Sequence, residues 1–359
     1  MKEISSLLIR LSNAHGPSGF EGPVRELMKQ EFRRFDIELR TDGIGSLIAG
    51  DNNVRDIPNV MLSAHMDEVG LMVKYITDDG FIKFQTLGGW LDQALIGQKW
   101  QILTNKGTIY GITGIKTPHV MSSEEKNQMF KRASMFIDVG ACDKDDAEQR
   151  LGIRPGDPIA PHNLAENLND GQTMLGKAWD DRVGLAVMVG VIEGLQNQTL
   201  PCNVLAVSTV QEEVGLRGAQ TSSHVVLPDI CINLESVIAG DYPGISKDQS
   251  QEILGKGPSI FLHDSSMIPN TKLKNLVVDT AKQANIPLQF NVLEGYGQDG
   301  AQIQRSRTGV PTINISVPTR YLHSHNSMIN LDDVNKTIEL VIKLIQKLDQ
   351  STIEEIRRF

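Results

Sequence analysis

Short, almost wholly apolar strands alternate with amphipathic helices along most of this chain, and that alternation is broken once. Residues 59–64 read as a buried strand ending at His65. Residues 181–195 read as a helix with Val183, Ala186, Val187, Gly190 and Val191 on one face. Strands follow at 203–210, 229–234 and 310–317, with helices at 272–284 and 331–348. Near-continuous apolar strands separated by helices imply a sheet covered on both faces. Between Val69 and about Ala165 the pattern is different: β-like pieces at 70–76, 80–87, 99–103 and 108–115 lie between glycine-rich turns. Long helical periodicity is largely absent there, so a compact β-rich module is expected inside the chain. Upstream, Ile4, Leu7, Leu8 and Leu11, then Val24, Leu27, Met28 and Phe32, mark two helices split by Gly16-Pro17-Ser18-Gly19. Residues 35–49 alternate around Asp42-Gly43, as a hairpin does. The expected organisation is α/β: one domain from 1–69 and 166–359, interrupted by a β-rich module at 70–165.

Five acidic or histidine clusters fall at strand C-termini or at a helix start. His65-Met66-Asp67 follows the first buried strand, and Asp180-Asp181 opens a helix. Glu212-Glu213 follows the strand 203–210, Glu235 ends 229–234, and His323 follows 310–317. In open α/β sheets ligands bind outside the carboxyl ends of the strands, so the clusters have a common meeting place. Each has an ordinary reading alone. His65 and His323 suit a surface or core histidine, Asp180-Asp181 an N-cap pair, and Glu235 a salt-bridged strand end. Adjacent Glu212-Glu213 is harder to explain without a shared cation or proton. Together they form a mixed nitrogen and oxygen donor set, suited to Zn²⁺ or Co²⁺, with Mn²⁺ as a third candidate. The donors exceed what one ion needs, so two ions with a bridging carboxylate and a spare carboxylate as general base are expected. Asp67, two residues from His65, is placed to orient its ring.

Composition narrows the partners. A formal charge of −9 makes nucleic acid or an anionic membrane an unsuitable partner. The three cysteines are widely spaced and fit a reducing compartment, and the N-terminus lacks a signal-peptide layout, so a cytoplasmic location is expected.

The chain resembles metallopeptidase family forty-two, the glutamyl/deblocking or tetrahedral (TET) aminopeptidases, sometimes described as endoglucanase-like. The resemblance runs through SAHMDEVGLMV (63–73), GKAWDDRVG (176–184), STVQEEVGLRGA (208–219), AGDYPG (239–244), LGKGPSI (254–260) and RYLHS (320–324). It implies a zinc-peptidase-like domain with a mixed sheet flanked by helices. It implies one metal on His65, Asp180 and Glu235, and another on Asp180, Glu213 and His323, with Asp180 bridging. Glu212 is then the general base acting on a metal-bound water, Asp67 orients His65, and Asp181 caps. The insertion becomes a dimerisation module, and dimers assemble into a dodecamer that admits short peptides. Three departures stand out. Glu235 occupies a position usually held by Asp. His323 is followed by Ser324-His325-Asn326, which raises His325 as an alternative ligand, and the glycine-rich loop reads Gln298-Asp299-Gly300 instead of Thr-Asp-Ala. A shift in side-chain preference is expected from that loop. The rival readings are a metal-dependent deacylase or other amidohydrolase, and an endoglucanase. The 5% aromatic content and the histidines of the cluster count against the second.

Overall fold

The computed structural model describes residues 2–51 and 57–358. Two helices open the chain, α1 (Lys2–Asn13) and α2 (Gly22–Arg33), the second entered through a proline in its first turn. Their apolar faces bury Leu7, Leu8, Leu11, Val24, Met28 and Phe32. β1 (Leu39–Thr41) and β2 (Leu47–Ala49) form the expected hairpin. Asp42 closes its turn by accepting the N–H groups of Ile44, Gly45 and Ser46 on Oδ1. β3 (Asn59–His65) is the first central strand.

The chain then builds a closed barrel from β4 (Gly70–Ile76), β5 (Ile82–Leu87), β6 (Lys99–Thr104), β7 (Gly107–Gly114), β8 (Phe136–Asp138) and β9 (Pro158–Pro161). The one-turn helix α3 (Ser123–Lys126) lies in its longest connection. The barrel has its own core, with Leu71, Ile82, Trp100, Ile102, Ile137 and Ile159 fully buried.

Beyond it come β10 (Glu166–Asn167), β11 (Thr173–Gly176), α4 (Trp179–Leu195), β12 (Asn203–Thr209), α5 (Arg217–Val226) and β13 (Ile230–Ile238). β14 (Ser259–His263), α6 (Thr271–Ala284), β15 (Gln289–Val292), α7 (Asp299–Gln304), β16 (Thr312–Arg320), β17 (Ser327–Asn330), α8 (Leu331–Ile345) and α9 (Gln350–Arg357) complete the chain. The 11-stranded mixed sheet runs β1-β2-β12-β3-β13-β16-β17-β11-β10, with β14 and β15 branching from β16. Its centre, β12, β3, β13 and β16, is parallel. Val60, Leu62, Ile232, Leu234, Ile313 and Ile315 form part of the main core, which includes buried residues of α4 and α8. Met61, Leu205, Val207 and Cys231 turn to the other face, against Ala219 and Val226 of α5 and Ile303 of α7.

The long periodic elements lie where the sequence puts them, with ends shifted by a few residues. The strand expected at 310–317 starts at Thr312 and continues to Arg320. The strands β10, β11, β14, β15 and β17 were not anticipated. Each has five residues or fewer, too short to carry a readable alternation.

Candidate metal centre

Five side chains from separate stretches of sequence meet at the C-terminal edge of the parallel strands. His65 ends β3, Glu235 lies on β13, Asp180 stands at the entry to α4, Glu213 follows β12 and His323 follows β16. Parallel register puts Thr209 beside His65 and Ser316 beside Glu235, so these strands all end at one edge. Among the described residues, two groups have ligand atoms that all lie within 4.8 Å of one another: His65, Asp180 and Glu235, and Asp180, Glu213 and His323. Asp180 belongs to both. Its Oδ1 lies 2.9 Å from His65 Nε2, and its Oδ2 lies 3.3 Å from His323 Nε2. Glu235 Oε1 stands 3.7 Å from His65 Nε2, and Glu213 Oε1 stands 3.4 Å from His323 Nε2.

A supporting layer aims these groups. His65 Nδ1 faces the backbone carbonyl of Asp67 at 3.0 Å, nearer than the Asp67 carboxylate at 3.5 Å. His323 Nδ1 faces the carbonyl of Gly89 at 2.8 Å, a contact supplied by the barrel. With Nδ1 held at a backbone carbonyl, each ring presents Nε2 to the carboxylates. The Asp67 carboxylate accepts the N–H groups of Glu212 (3.0 Å) and Glu213 (3.1 Å) and the Ser18 hydroxyl (2.6 Å). It thereby sets the loop that carries both glutamates, a task beyond orienting His65. Asp181 accepts the N–H of Gly184 at 2.9 Å and of His65 at 3.2 Å, so it caps α4 and tethers β3. Behind this layer Glu68 is buried between Lys177 (2.6 Å) and Arg182 (3.5 Å) and accepts the N–H of Gly16. Burial, only partly offset by Glu68, pushes the Lys177 ammonium down to about 8. Removing one member of such a set leaves an uncompensated charge in the interior.

Close backbone packing holds the glutamate loop. A Cβ on Gly218 would lie 2.4 Å from Val210 N and 2.5 Å from Val210 O, and Gly218 N donates to Val210 O at 2.9 Å. Gly218→Ala is therefore expected to move the start of α5 away from β12, cost about 1–3 kcal/mol and lower turnover by displacing Glu212 and Glu213. Denaturant unfolding beside steady-state kinetics checks this. An unchanged midpoint and unchanged kcat would count against it.

The electrostatics show a site short of positive charge. Burial raises the Glu235 carboxyl well above the ordinary carboxylate range, and Asp181 adds to the effect. Burial likewise lifts Glu212 well above it, with Glu213, Asp299 and Asp180 adding and His65 opposing. Burial also raises Glu213, against the pull of His323. Asp180 goes the other way: burial opposes ionisation, but hydrogen bonds from His323 and His65 hold it far below the usual range. Burial disfavours charge on both histidines, yet the carboxylates around them raise His65 and His323 well above the ordinary imidazole value. Glu213 Oε1 is buried with no hydrogen-bond partner. The ion pairs of Asp180, Glu213 and Glu235 are with the two histidines, while Lys177 and Arg182 are engaged by Glu68. Crowded carboxylates facing two imidazole Nε2 atoms, with one buried carboxylate oxygen outside hydrogen-bond geometry, fit divalent cations of the zinc or cobalt type.

Glu212 belongs to neither three-residue group but lines the same cavity of about 280 Å³. Two larger surface grooves, one beside Ile268–Lys272 and one between α1 and α8, contain neither group. His325 is not part of the cluster. Its ring packs between Trp90 (5.7 Å) and Trp100 (4.4 Å), Nε2 faces Lys99 O, and burial pushes it down to about 4. Arg320 forms a two-pronged pair with Asp241, and Arg217 donates to Gln211. Gly300 has a spatial reason: a Cβ there would lie 2.2 Å from Asn314 Oδ1. Sequence reading missed Ser18, Glu68, Lys177, Arg182 and the Gly89 carbonyl as supports. The GPSG stretch was a visible signal for Ser18; the others carry no local one.

The M42 glutamyl aminopeptidase family model matches residues 45–340. The chain is similar to the glutamyl aminopeptidase of Lactococcus lactis, at 31% identity over 97% of this chain and 98% of that one. It is also similar to the lysyl aminopeptidase of Pyrococcus furiosus, at 33% identity over 95% of this chain and 96% of that one. The structure matches a TET aminopeptidase from a marine sediment archaeon (Thaumarchaeota) with a TM-score of 0.95, 41% identity and 99% of both chains covered. It matches the TET1 peptidase of Pyrococcus horikoshii with a TM-score of 0.86 and 30% identity, over 96% of this chain and 100% of that one. That protein assembles into a tetrahedron or a large octahedral shell. Fold and site together define a peptide hydrolase, an aminopeptidase. More narrowly, the chain belongs to the M42 glutamyl aminopeptidase family.

Proposed function

We propose that this chain is a dinuclear-metal aminopeptidase that removes N-terminal residues from short peptides, with Glu212 as general base. The observation that carries the dinuclear reading is Asp180, whose two carboxylate oxygens face opposite histidines. His65, Asp180 and Glu235 would hold one ion, and Asp180, Glu213 and His323 the other. Two divalent ions there would polarise the scissile carbonyl and make water a better nucleophile at neutral pH. Glu212 takes the proton from the attacking water and passes it to the leaving amine. Its backbone is anchored through Asp67, so the carboxylate keeps its place during the transfer. Asp67 and Gly89 hold the two imidazoles in the tautomer that points Nε2 inward.

The organisation that supports this reading is a catalytic unit from residues 1–69 and 166–359 with the barrel as an insertion at 70–165. The barrel exposes Tyr75, Leu91, Tyr110, Ile112, Val120 and Met129, apolar surface suited to contact with a second copy. A dodecamer built from such dimers is the assembly we infer. Among the described residues no helix is long and apolar enough to cross a membrane.

Chelation tests the function. Treatment with a strong chelator is expected to abolish cleavage of aminoacyl-anilides and to lower the melting temperature. Added Zn²⁺ or Co²⁺ should restore both, because ions that bind only the folded chain stabilise it. Cleavage that survives complete metal removal would overturn the reading. Strong turnover of N-acyl amino acids with none of aminoacyl-anilides would favour the deacylase instead.

A further inference from the structure

The cavity beside the cluster is built mostly from side chains already committed. Asp180, Glu212, Glu213, Glu235 and His323 belong to the centre described above. Beyond them the side chains left in the lining, glycines aside, are Leu216, Tyr296 and Gln298. Leu216 offers no hydrogen bond. The Tyr296 ring stacks on Phe261 at 5.4 Å and 21°. Gln298 is different. It is 1% exposed, and neither its Nε2 nor its Oε1 has a hydrogen-bond partner. A buried amide without partners is costly, and a bound group that supplies them recovers the cost. The wall around it is open: a Cβ on Gly295 would meet nothing within 4 Å, and one on Gly297 would meet only Ser266, at 3.6 Å.

We propose that Gln298 reads the side chain of the peptide's first residue and selects neutral side chains that both donate and accept a hydrogen bond, glutamine foremost. This rests on the aminopeptidase reading of the cavity. An amide presents an NH₂ donor and a carbonyl acceptor at once. Glutamine satisfies both. A glutamate side chain can only accept, which leaves Oε1 unpaired, and among the described residues no lysine or arginine lines the cavity to balance its charge. A lysine side chain can only donate and leaves Nε2 unpaired. The glutamyl and lysyl relatives show that members of the family differ in this preference.

The test uses the full-length, metal-loaded chain and para-nitroanilides of Gln, Glu, Met, Leu and Lys, compared by kcat/KM. The native chain is expected to favour Gln over its isostere Glu, and Gln over Met, by about 10- to 100-fold. Gln298→Met should collapse the Gln-to-Met ratio toward one. Gln298→Lys should raise Glu relative to Gln, and Gln298→Glu should raise Lys relative to Gln. Melting curves and metal content establish that each variant is folded and loaded. Unchanged ratios in all three variants would overturn the assignment. An equal loss on all five substrates would also overturn it, because that is the mark of a residue that only orders the loop. No cleavage by the loaded native chain would overturn the aminopeptidase reading of the cavity, and this proposal with it.

Discussion

Glu212→Gln is expected to lower kcat by about 10²- to 10⁴-fold while the chain still binds its metal ions. The substitution keeps the size of the side chain and the Asp67 hydrogen bond to the backbone of residue 212, so the loop should stay in place. What it removes is the one cavity carboxylate outside both three-residue groups. Burial and the neighbouring Glu213 and Asp299 raise the proton affinity of Glu212, which suits a group that must accept a proton. Cations in the two groups would offset part of that rise. The measurement is single-substrate kinetics beside metal analysis of the same preparation. Full turnover with Gln at 212 would end the general-base assignment. Lost turnover together with lost metal would show that Glu212 is a ligand instead.

How much of this centre was legible in the sequence depends on the range of the contact. His65 and the Glu212-Glu213 pair were readable because strand ends are readable: an apolar run followed by a charged or histidine residue marks the sheet edge where ligands collect; the same rule found Glu235, although β13 runs on to Ile238. Spacing showed Asp180 only as part of a helix start; the choice of Asp180 over Asp181 came from the family resemblance and not from the pattern itself. Only the structure shows that Asp180 turns both oxygens to the histidines while Asp181 turns to N–H groups. The Glu68–Lys177–Arg182 set was invisible because Glu68 lies 109 residues before Lys177 and 114 before Arg182, with no spacing to link them. Nothing in Gly88-Gly89-Trp90 shows that a backbone carbonyl there reaches the histidine that follows β16. That contact gives the barrel segment a part in the centre: a shift of the Gly88–Trp90 turn would release the ring of His323. The main fold followed from periodicity, whereas the short strands β10, β11, β14, β15 and β17 depend on neighbours for their existence.

Asp180→Ala is expected to abolish turnover, by about 10³-fold or more, and to take bound metal from two ions per chain toward none. The reasoning is geometric. Asp180 is the one residue common to both groups, so each group loses a ligand in the same variant. Glu235→Ala should by contrast empty one position and spare the other, since Glu235 belongs only to the group of His65. Asp181→Ala supplies the control. Asp181 ties the N–H groups of Gly184 and His65, so its loss should appear first as a stability cost of about 1–2 kcal/mol, with both ions retained. Metal stoichiometry, melting temperature and kcat measured on all three variants therefore separate a shared ligand, an unshared ligand and a cap. If Asp180→Ala kept one tightly bound ion, the carboxylate would not be shared, and the centre would have to be redrawn as two independent sites.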